Sequence, residues 1–147
     1  MARKRGVSDV RLLPLEDVDA SLGHFDTIVM YGNNFGLFAS RAKAKRLLRR
    51  FARLTSERGR IIAETRDVSR GDDPAHVRYR KRNVARGRLP GQIRIRVRYR
   101  DLATPWFDYL MVGVGELRDI LDGTGWTLER TIDSDDTYIA VIDKEAR

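Results

Sequence analysis

FDTIVMYGNN (residues 25–34), FGLFASRAKAKRLLRRFARLTSERG (35–59) and RIIAETRD (60–67) form one unbroken stretch, and the fold turns on how it is read. The run Thr27-Ile28-Val29-Met30-Tyr31 is short, apolar and β-branched, the pattern of a strand buried on both faces. Ser40 stands as an N-cap, with Arg41 opening a helix. Ala44, Leu47, Leu48, Phe51 and Leu54 then recur three or four apart as one apolar stripe. Arg41, Lys45, Arg46, Arg49, Arg50 and Arg53 cover the other side. Gly59 sits where a left-handed C-terminal cap is expected, and Ile61-Ile62-Ala63 restarts an apolar strand. Two buried strands joined by an amphipathic helix predict a right-handed βαβ unit and therefore a parallel sheet. Ligands of open parallel sheets lie outside the carboxyl ends of the strands. Here that place is the loop Tyr31-Gly32-Asn33-Asn34-Phe35-Gly36, whose small, amide and aromatic residues suit a ligand better than plain solvent.

The totals set the outer limits. A chain of 147 residues has the length of one domain, 1–147, with enough material for a hydrophobic core. A hydrophobic fraction of 41% and a charged fraction of 34% fit a globular protein. No apolar run approaches the roughly 20 residues of a membrane span. Met1-Ala2-Arg3-Lys4-Arg5-Gly6 is basic, but no apolar signal core follows, so a cytoplasmic location and no membrane partner are expected. The absence of cysteine excludes disulfides, thiolate metal sites and cysteine nucleophiles. His24 and His76 are the only histidines and lack ligand spacing, so no metal site is expected. The net charge of +8 has two readings, an arginine-rich solvated surface or an anionic partner such as nucleic acid.

Outside the central stretch the elements follow in order. Residues 2–6 read as a last helical turn closed by Gly6, and residues 7–13 (VSDVRLL) as a strand. Residues 14–19 are an acidic turn, and 68–76 a polar loop with Gly71 and Pro74. Between residues 78 and 100 lie ten basic residues and no acidic one. Within that stretch, residues 92–100 alternate strictly, with Ile93, Ile95, Val97 and Tyr99 on one face and arginines on the other, which predicts a half-buried strand. Residues 106–112 (WFDYLMV) predict its antiparallel partner. A short helix at 116–121, closed by Gly123 or Gly125, precedes strands at 126–132 and 137–143, and the acidic turn Asp133-Ser134-Asp135-Asp136 makes these two a hairpin.

FDTIVMYGNNFGLF, the helix after it, RIIAETRD, the pair RLPGQIRIRVRY and PWFDYLMV, GELRDILDGTGW and TYIAVIDK together resemble a class I S-adenosylmethionine-dependent methyltransferase. The resemblance covers nearly all of this chain but only the C-terminal part of the family's domain. It implies an α/β, Rossmann-like methyltransferase sheet, N-terminally truncated, with parallel core strands, antiparallel C-terminal strands and an inserted β-hairpin. In that alignment residues 10–13 are the third of seven strands, 25–31 the fourth, 60–65 the fifth, and 125–132 and 138–143 the sixth and seventh. Residues 78–112 are a basic loop and hairpin inserted over the substrate side. The family holds its cofactor on a GxGxG loop after the first strand and an acidic residue after the second. This sequence has no GxGxG and begins after both positions, so the resemblance implies that on the order of 60 residues of the family's βαβ structure are not in this stretch. The edge of strand 25–31 is then expected to pair with residues 10–13 or with another chain.

The resemblance also assigns residues. Leu15 and Glu16 follow the third strand, where the family contacts adenine; Pro14-Leu15 replaces the Asp-Ala pair often found there. Tyr31, Gly32 and Asn33 lie where the family closes over S-adenosyl-L-methionine. Asn33-Asn34 loosely resembles the Asn-Pro-Pro-aromatic signature of amino methyltransferases, but without the prolines that acceptor is not implied. Asn34, Phe35, Phe38 and Trp106 are placed on the side of a small-molecule substrate. The same residues have structural readings: Gly32, Asn33 and Gly36 as a helix-leading turn, Glu16 as a solvated loop acid, and the aromatics as core. Asp26 is read as fixing the strand entrance, His24 as surface, and no catalytic residue is assigned. Methyl transfer from a sulfonium requires orientation and a dry pocket more than acid–base chemistry. Three functions follow: a methyltransferase domain, a non-catalytic module that dimerises through its exposed sheet edge, or a nucleic-acid-binding protein using residues 78–100, with Tyr79 and Tyr99 stacking on bases.

Overall fold

The computed structural model describes residues 2–146. Its main sheet has four strands in the order β1 (Phe25–Met30), β2 (Thr55–Arg66), β8 (Thr137–Lys144), β7 (Trp126–Ser134). β1 and β2 run parallel, with Ile28 opposite Ile61 and Met30 opposite Ala63. β8 returns antiparallel along β2, with Ile142 opposite Ile61, and β7 and β8 form the expected hairpin. The sheet is therefore mixed, parallel at β1–β2 and antiparallel towards the C-terminus.

Helix α1 (Arg41–Leu54) is the crossover between the parallel strands. Ser40 Oγ accepts the Lys43 N–H at 3.3 Å, satisfying one orphan donor of the first turn. The stripe Ala44, Leu47, Leu48, Phe51 and Leu54 is buried throughout, in one core with Leu117, Ile120 and Leu121 of α3 (Val114–Leu121). Trp126 fills that core and donates its indole N–H to the Leu48 carbonyl at 2.8 Å. Tyr138 donates its hydroxyl to the Val112 carbonyl at 3.0 Å. Each polar tip is paired inside apolar surroundings, which removes the cost of burying it.

Several expectations change. Residues 7–13 are not a strand: they run unpaired, with Leu12 fully exposed, and only Leu15 and Val18 beyond them pack against the core. With Pro14 closing the segment, too few apolar residues recur to hold it on a sheet edge. β1 is consequently an edge strand rather than one buried on both faces, and Val29 is 53% exposed. Gly59 does not cap α1. The helix ends at Leu54, Thr55 is already extended, and Gly59 lies inside β2, where a Cβ would come 2.5 Å from Thr55 Cβ. The β1–β2 register jumps there, from Phe25 opposite Thr55 to Thr27 opposite Arg60. Gly59 is thus needed for close approach within a strand irregularity.

Where a polar and basic loop is expected, the chain forms a helix, α2 (Pro74–Ala85). Asp73 Oδ1 accepts the backbone N–H groups of Ala75 and His76 at 2.8 and 3.0 Å, and Pro74 opens the first turn. Residues 92–100 do not form one strand. β3 (Gln92–Ile95) pairs antiparallel with β6 (Phe107–Leu110), as expected, but the ladder stops after Ile95 opposite Phe107. Pro105, just beyond, has no N–H to continue it. The chain instead turns on Thr104, whose Oγ1 accepts the Val97 N–H at 3.0 Å, and β4 (Arg98–Tyr99) pairs with β5 (Leu102–Ala103). Val97 and Tyr99 stand exposed at the tip, not on a buried face. Among the described residues, no helix is long and apolar enough to cross a membrane.

Candidate functional site

Past the carboxyl end of β1 the chain makes a tight turn with two consecutive left-handed residues, Gly32 at φ 67° and Asn33 at φ 62°. Glycine adopts this backbone freely and asparagine tolerates it. Neighbouring strands hold the turn from two sides. Gly32 N–H donates to Glu64 Oε2 on β2 at 2.8 Å, and the Asn33 carbonyl accepts the hydroxyl of Tyr109 on β6. Burial, with the Glu64 charge adding to it, pushes the Tyr109 phenol above its ordinary pKa, so it stays a neutral donor across the physiological range. Asn33 Oδ1 is buried at the turn with no hydrogen-bond partner. An unpaired buried acceptor costs about 1–3 kcal/mol and calls for an explanation.

After the turn, a five-residue 3-10 helix (Asn34–Phe38) sends Phe35 and Phe38 into the core, 1% and 0% exposed. Their rings meet edge-to-face at 4.9 Å, and Phe38 packs on Phe51 of α1 at 5.9 Å. These two phenylalanines anchor the turn from within. Asn34 is exposed, and Tyr31 is 52% exposed.

The other expected site residues lie apart from this turn. Leu15 and Glu16 occupy a separate 3-10 turn (Leu15–Asp17) tied to α1. Glu16 pairs with Lys43, its carbonyl accepts from Arg50, and the Lys43 hydrogen bond holds its carboxyl below the ordinary range. Leu15 packs partly against the core. No hydrogen bond or ion pair joins this turn to residues 31–33 among the described residues. Trp106 is 54% exposed, with the Arg96 guanidinium 5.0 Å from its ring centre. Asp26 Oδ1 accepts the Ser56 hydroxyl at 2.7 Å at the start of β1, and His24 is exposed beside it.

Glu64 and Tyr109 were missed by sequence reasoning. Each stands in an ordinary strand pattern, and only the register that sets Val29 opposite Ile62 brings Glu64 alongside the turn. A concavity lies apart from the turn, lined by none of its residues. It is a cleft of about 570 Å³ bordered by the carboxyl end of β2, α2 and β3. Among the described residues, no cluster of three His, Asp or Glu side chains is arranged to hold a metal ion.

No protein-family model and no curated protein matches the sequence. Solved structures do match. An S-adenosylmethionine-dependent methyltransferase from Bacteroides fragilis, in complex with S-adenosyl-L-homocysteine, superposes with a TM-score of 0.74 at 22% identity, over 97% of this chain and 57% of that one. A methyltransferase of the same cofactor from Clostridium acetobutylicum gives 0.63 at 8% identity, over 97% and 68%. LaPhzM gives 0.56 at 15% identity, over 97% and 37%. This chain therefore has a class I S-adenosylmethionine methyltransferase-like fold, and it spans 57% of the length of the Bacteroides protein.

Proposed function

We propose that this chain is part of an enzyme that transfers a methyl group from S-adenosylmethionine to a small-molecule acceptor. The observation that carries this reading is the Gly32–Asn33 turn. It lies at the carboxyl end of a parallel strand, is pinned by Glu64 and Tyr109, and keeps a buried amide oxygen unpaired. A bound cofactor with hydroxyl or amino donors would satisfy Asn33 Oδ1, so the residues present fit such a group. S-adenosylmethionine, when bound, supplies an activated methyl on a sulfonium. The chain's own task is to orient and to exclude water. Tyr31, Gly32 and Asn33 form the wall on the cofactor side, with Leu15 and Glu16 proposed at its adenine end. Asn34 and Trp106 are proposed on the acceptor side, where Phe35 and Phe38 act by packing the wall from behind.

Titration of the folded chain with S-adenosyl-L-homocysteine in a calorimeter tests the reading. Saturable binding whose affinity falls about tenfold or more in Asn33→Ala supports it. A folded protein that gives no heat with millimolar ligand overturns it for this chain.

One observation favours a second reading, a non-catalytic module that assembles with another copy. The outer edge of β1 pairs with no strand among the described residues, and Phe25 and Val29 lie exposed along it. Unpaired edges of this kind recruit other strands.

A further inference from the structure

The cleft bordered by β2, α2 and β3 holds more positive charge than its own carboxylates neutralise. Arg66, Arg70, Arg80 and Arg94 border it, against Asp67 and Asp136. Two of the four arginines are already paired. Arg66 lies 3.4 Å from Asp136, and Arg70 bridges Asp67 at 3.7 Å and Asp133 at 3.2 Å. The other two are not. Among the described residues, Arg80, half-buried on α2, donates to the Gly71 carbonyl at 2.7 Å and meets no carboxylate, while Arg94, exposed on β3, makes no hydrogen bond or ion pair, its cross-strand neighbour Asp108 being engaged by Arg88. A guanidinium held without a counter-charge in a concave, partly apolar place attracts an anion more strongly than one in open water.

The rest of the lining indicates what the anion is attached to. Val68, Ile93, Ile95 and Met111 supply an apolar wall, and α2 presents His76, Tyr79 and Arg80 at the i, i+3, i+4 spacing of one helical face. The volume of about 570 Å³ suits a small organic molecule. The cleft also opens beyond the carboxyl end of β2, the side of a parallel pair on which ligands collect.

We propose that this cleft binds a small organic oxyanion, an aromatic or aliphatic body carrying a carboxylate or phosphate, with Arg80 and Arg94 on the charged end and Ile93, Ile95 and Met111 on the apolar one. The proposal goes beyond the methyl-transfer reading and stands apart from it, because the cleft is lined by none of Tyr31, Gly32, Asn33, Asn34 and Trp106. Binding itself needs no cofactor. Planar guanidinium forks match both carboxylate and phosphate oxygens.

The test uses benzoate, phenyl phosphate and neutral benzamide as probes, each titrated into the full chain without cofactor. Binding is followed by calorimetry and by the Met111 methyl and Tyr79 ring signals in NMR spectra. Saturable binding of either anion, with benzamide at least about tenfold weaker, supports the proposal. Preference between the two anions then identifies the oxyanion. Arg80→Gln combined with Arg94→Gln weakens the anion about tenfold. Arg86→Gln, outside the cleft, leaves it unchanged, and so does Asn33→Ala, which separates this result from the cofactor titration. Equal binding of benzamide, indifference to the double substitution, or shifts confined to residues outside the cleft would overturn the proposal. So would tight, steeply salt-dependent binding of a random single-stranded oligonucleotide that the double substitution abolishes, because the arginines would then serve a nucleic-acid backbone.

Discussion

The ring of Tyr109 lies flat against Gly36, so close that a Cβ at position 36 would overlap three of its ring carbons. The same ring reaches the Asn33 carbonyl through its hydroxyl. One side chain of the β3–β6 hairpin is therefore wedged between the two ends of the turn that follows β1. Gly36→Ala is expected to cost about 1–3 kcal/mol, the usual penalty for forcing an extra carbon into a packed place. Denaturant unfolding measures it. Tyr109→Ala in the same chain should remove most of the added penalty, giving a clear coupling term in the double-mutant cycle. Simple additivity would show that the ring and the glycine do not constrain one another.

Glu64 is the second clamp. Its bond to the Gly32 N–H is the only hydrogen bond from the β2 side to this turn among the described residues. Because the bond is solvent-exposed, Glu64→Ala is expected to cost no more than about 1 kcal/mol in stability. Its larger effect is on ligand affinity, since an unpinned turn must be ordered when ligand binds. Weaker S-adenosyl-L-homocysteine binding with a nearly unchanged melting temperature would fit. Equal losses in both would make Glu64 a structural residue only.

What could be read from the sequence, and what could not, follows from the range of the interactions. The βαβ unit was legible because α1 carries a full apolar stripe and every member of it is buried. The β7–β8 hairpin was legible from its acidic turn, where Asp135 takes a left-handed φ of 48°. Helix α2 was not, because it buries only Asn83 and so leaves no periodic apolar trace. Asp73-Pro74, an N-cap followed by proline, was the one local signal for it. The break after Ile95 escaped because strict alternation reports a strand's faces, not where its partner ends. Glu64 and Tyr109 meet the turn across 32 and 76 residues of sequence, a distance no local pattern spans.

Acid titration separates two carboxylates of opposite sign. Asp143 accepts both forks of Arg60 at 2.6 and 2.9 Å, and that hydrogen bonding holds its carboxyl below the ordinary range. Its contribution is present above the unfolded-state value of about 3.9 and is lost as pH falls through the depressed folded value. Glu116 behaves the other way. Burial raises its carboxyl, although it accepts the Gly113 N–H at 2.9 Å. Its protonated form is favoured in the fold, so stability declines as pH rises from about 4.3 through the raised value. Asp143→Asn is expected to flatten the acid limb of the stability curve, and Glu116→Gln to remove the decline above it. Unfolding free energies measured from pH 3 to pH 7 check both. Parallel curves for wild type and either variant would contradict the assignment.

The outer edge of β1 leads to the last prediction. A parallel pair is normally covered on both faces and at its edges, yet Phe25 is 42% exposed, Val29 53% and Tyr31 52%. Asp26 beside them is engaged with Ser56, so the edge carries no free charge between residues 27 and 30 to repel an incoming strand. If two copies pair there, light scattering should report a concentration-dependent dimer. Val29→Lys should return it to monomer at little cost to stability, because a half-exposed position tolerates a lysine that a docked neighbour cannot. A wild-type chain that stays monomeric at every accessible concentration would eliminate self-pairing and with it the assembly reading, while leaving the Gly32–Asn33 turn and the arginine-lined cleft to be judged on their own titrations.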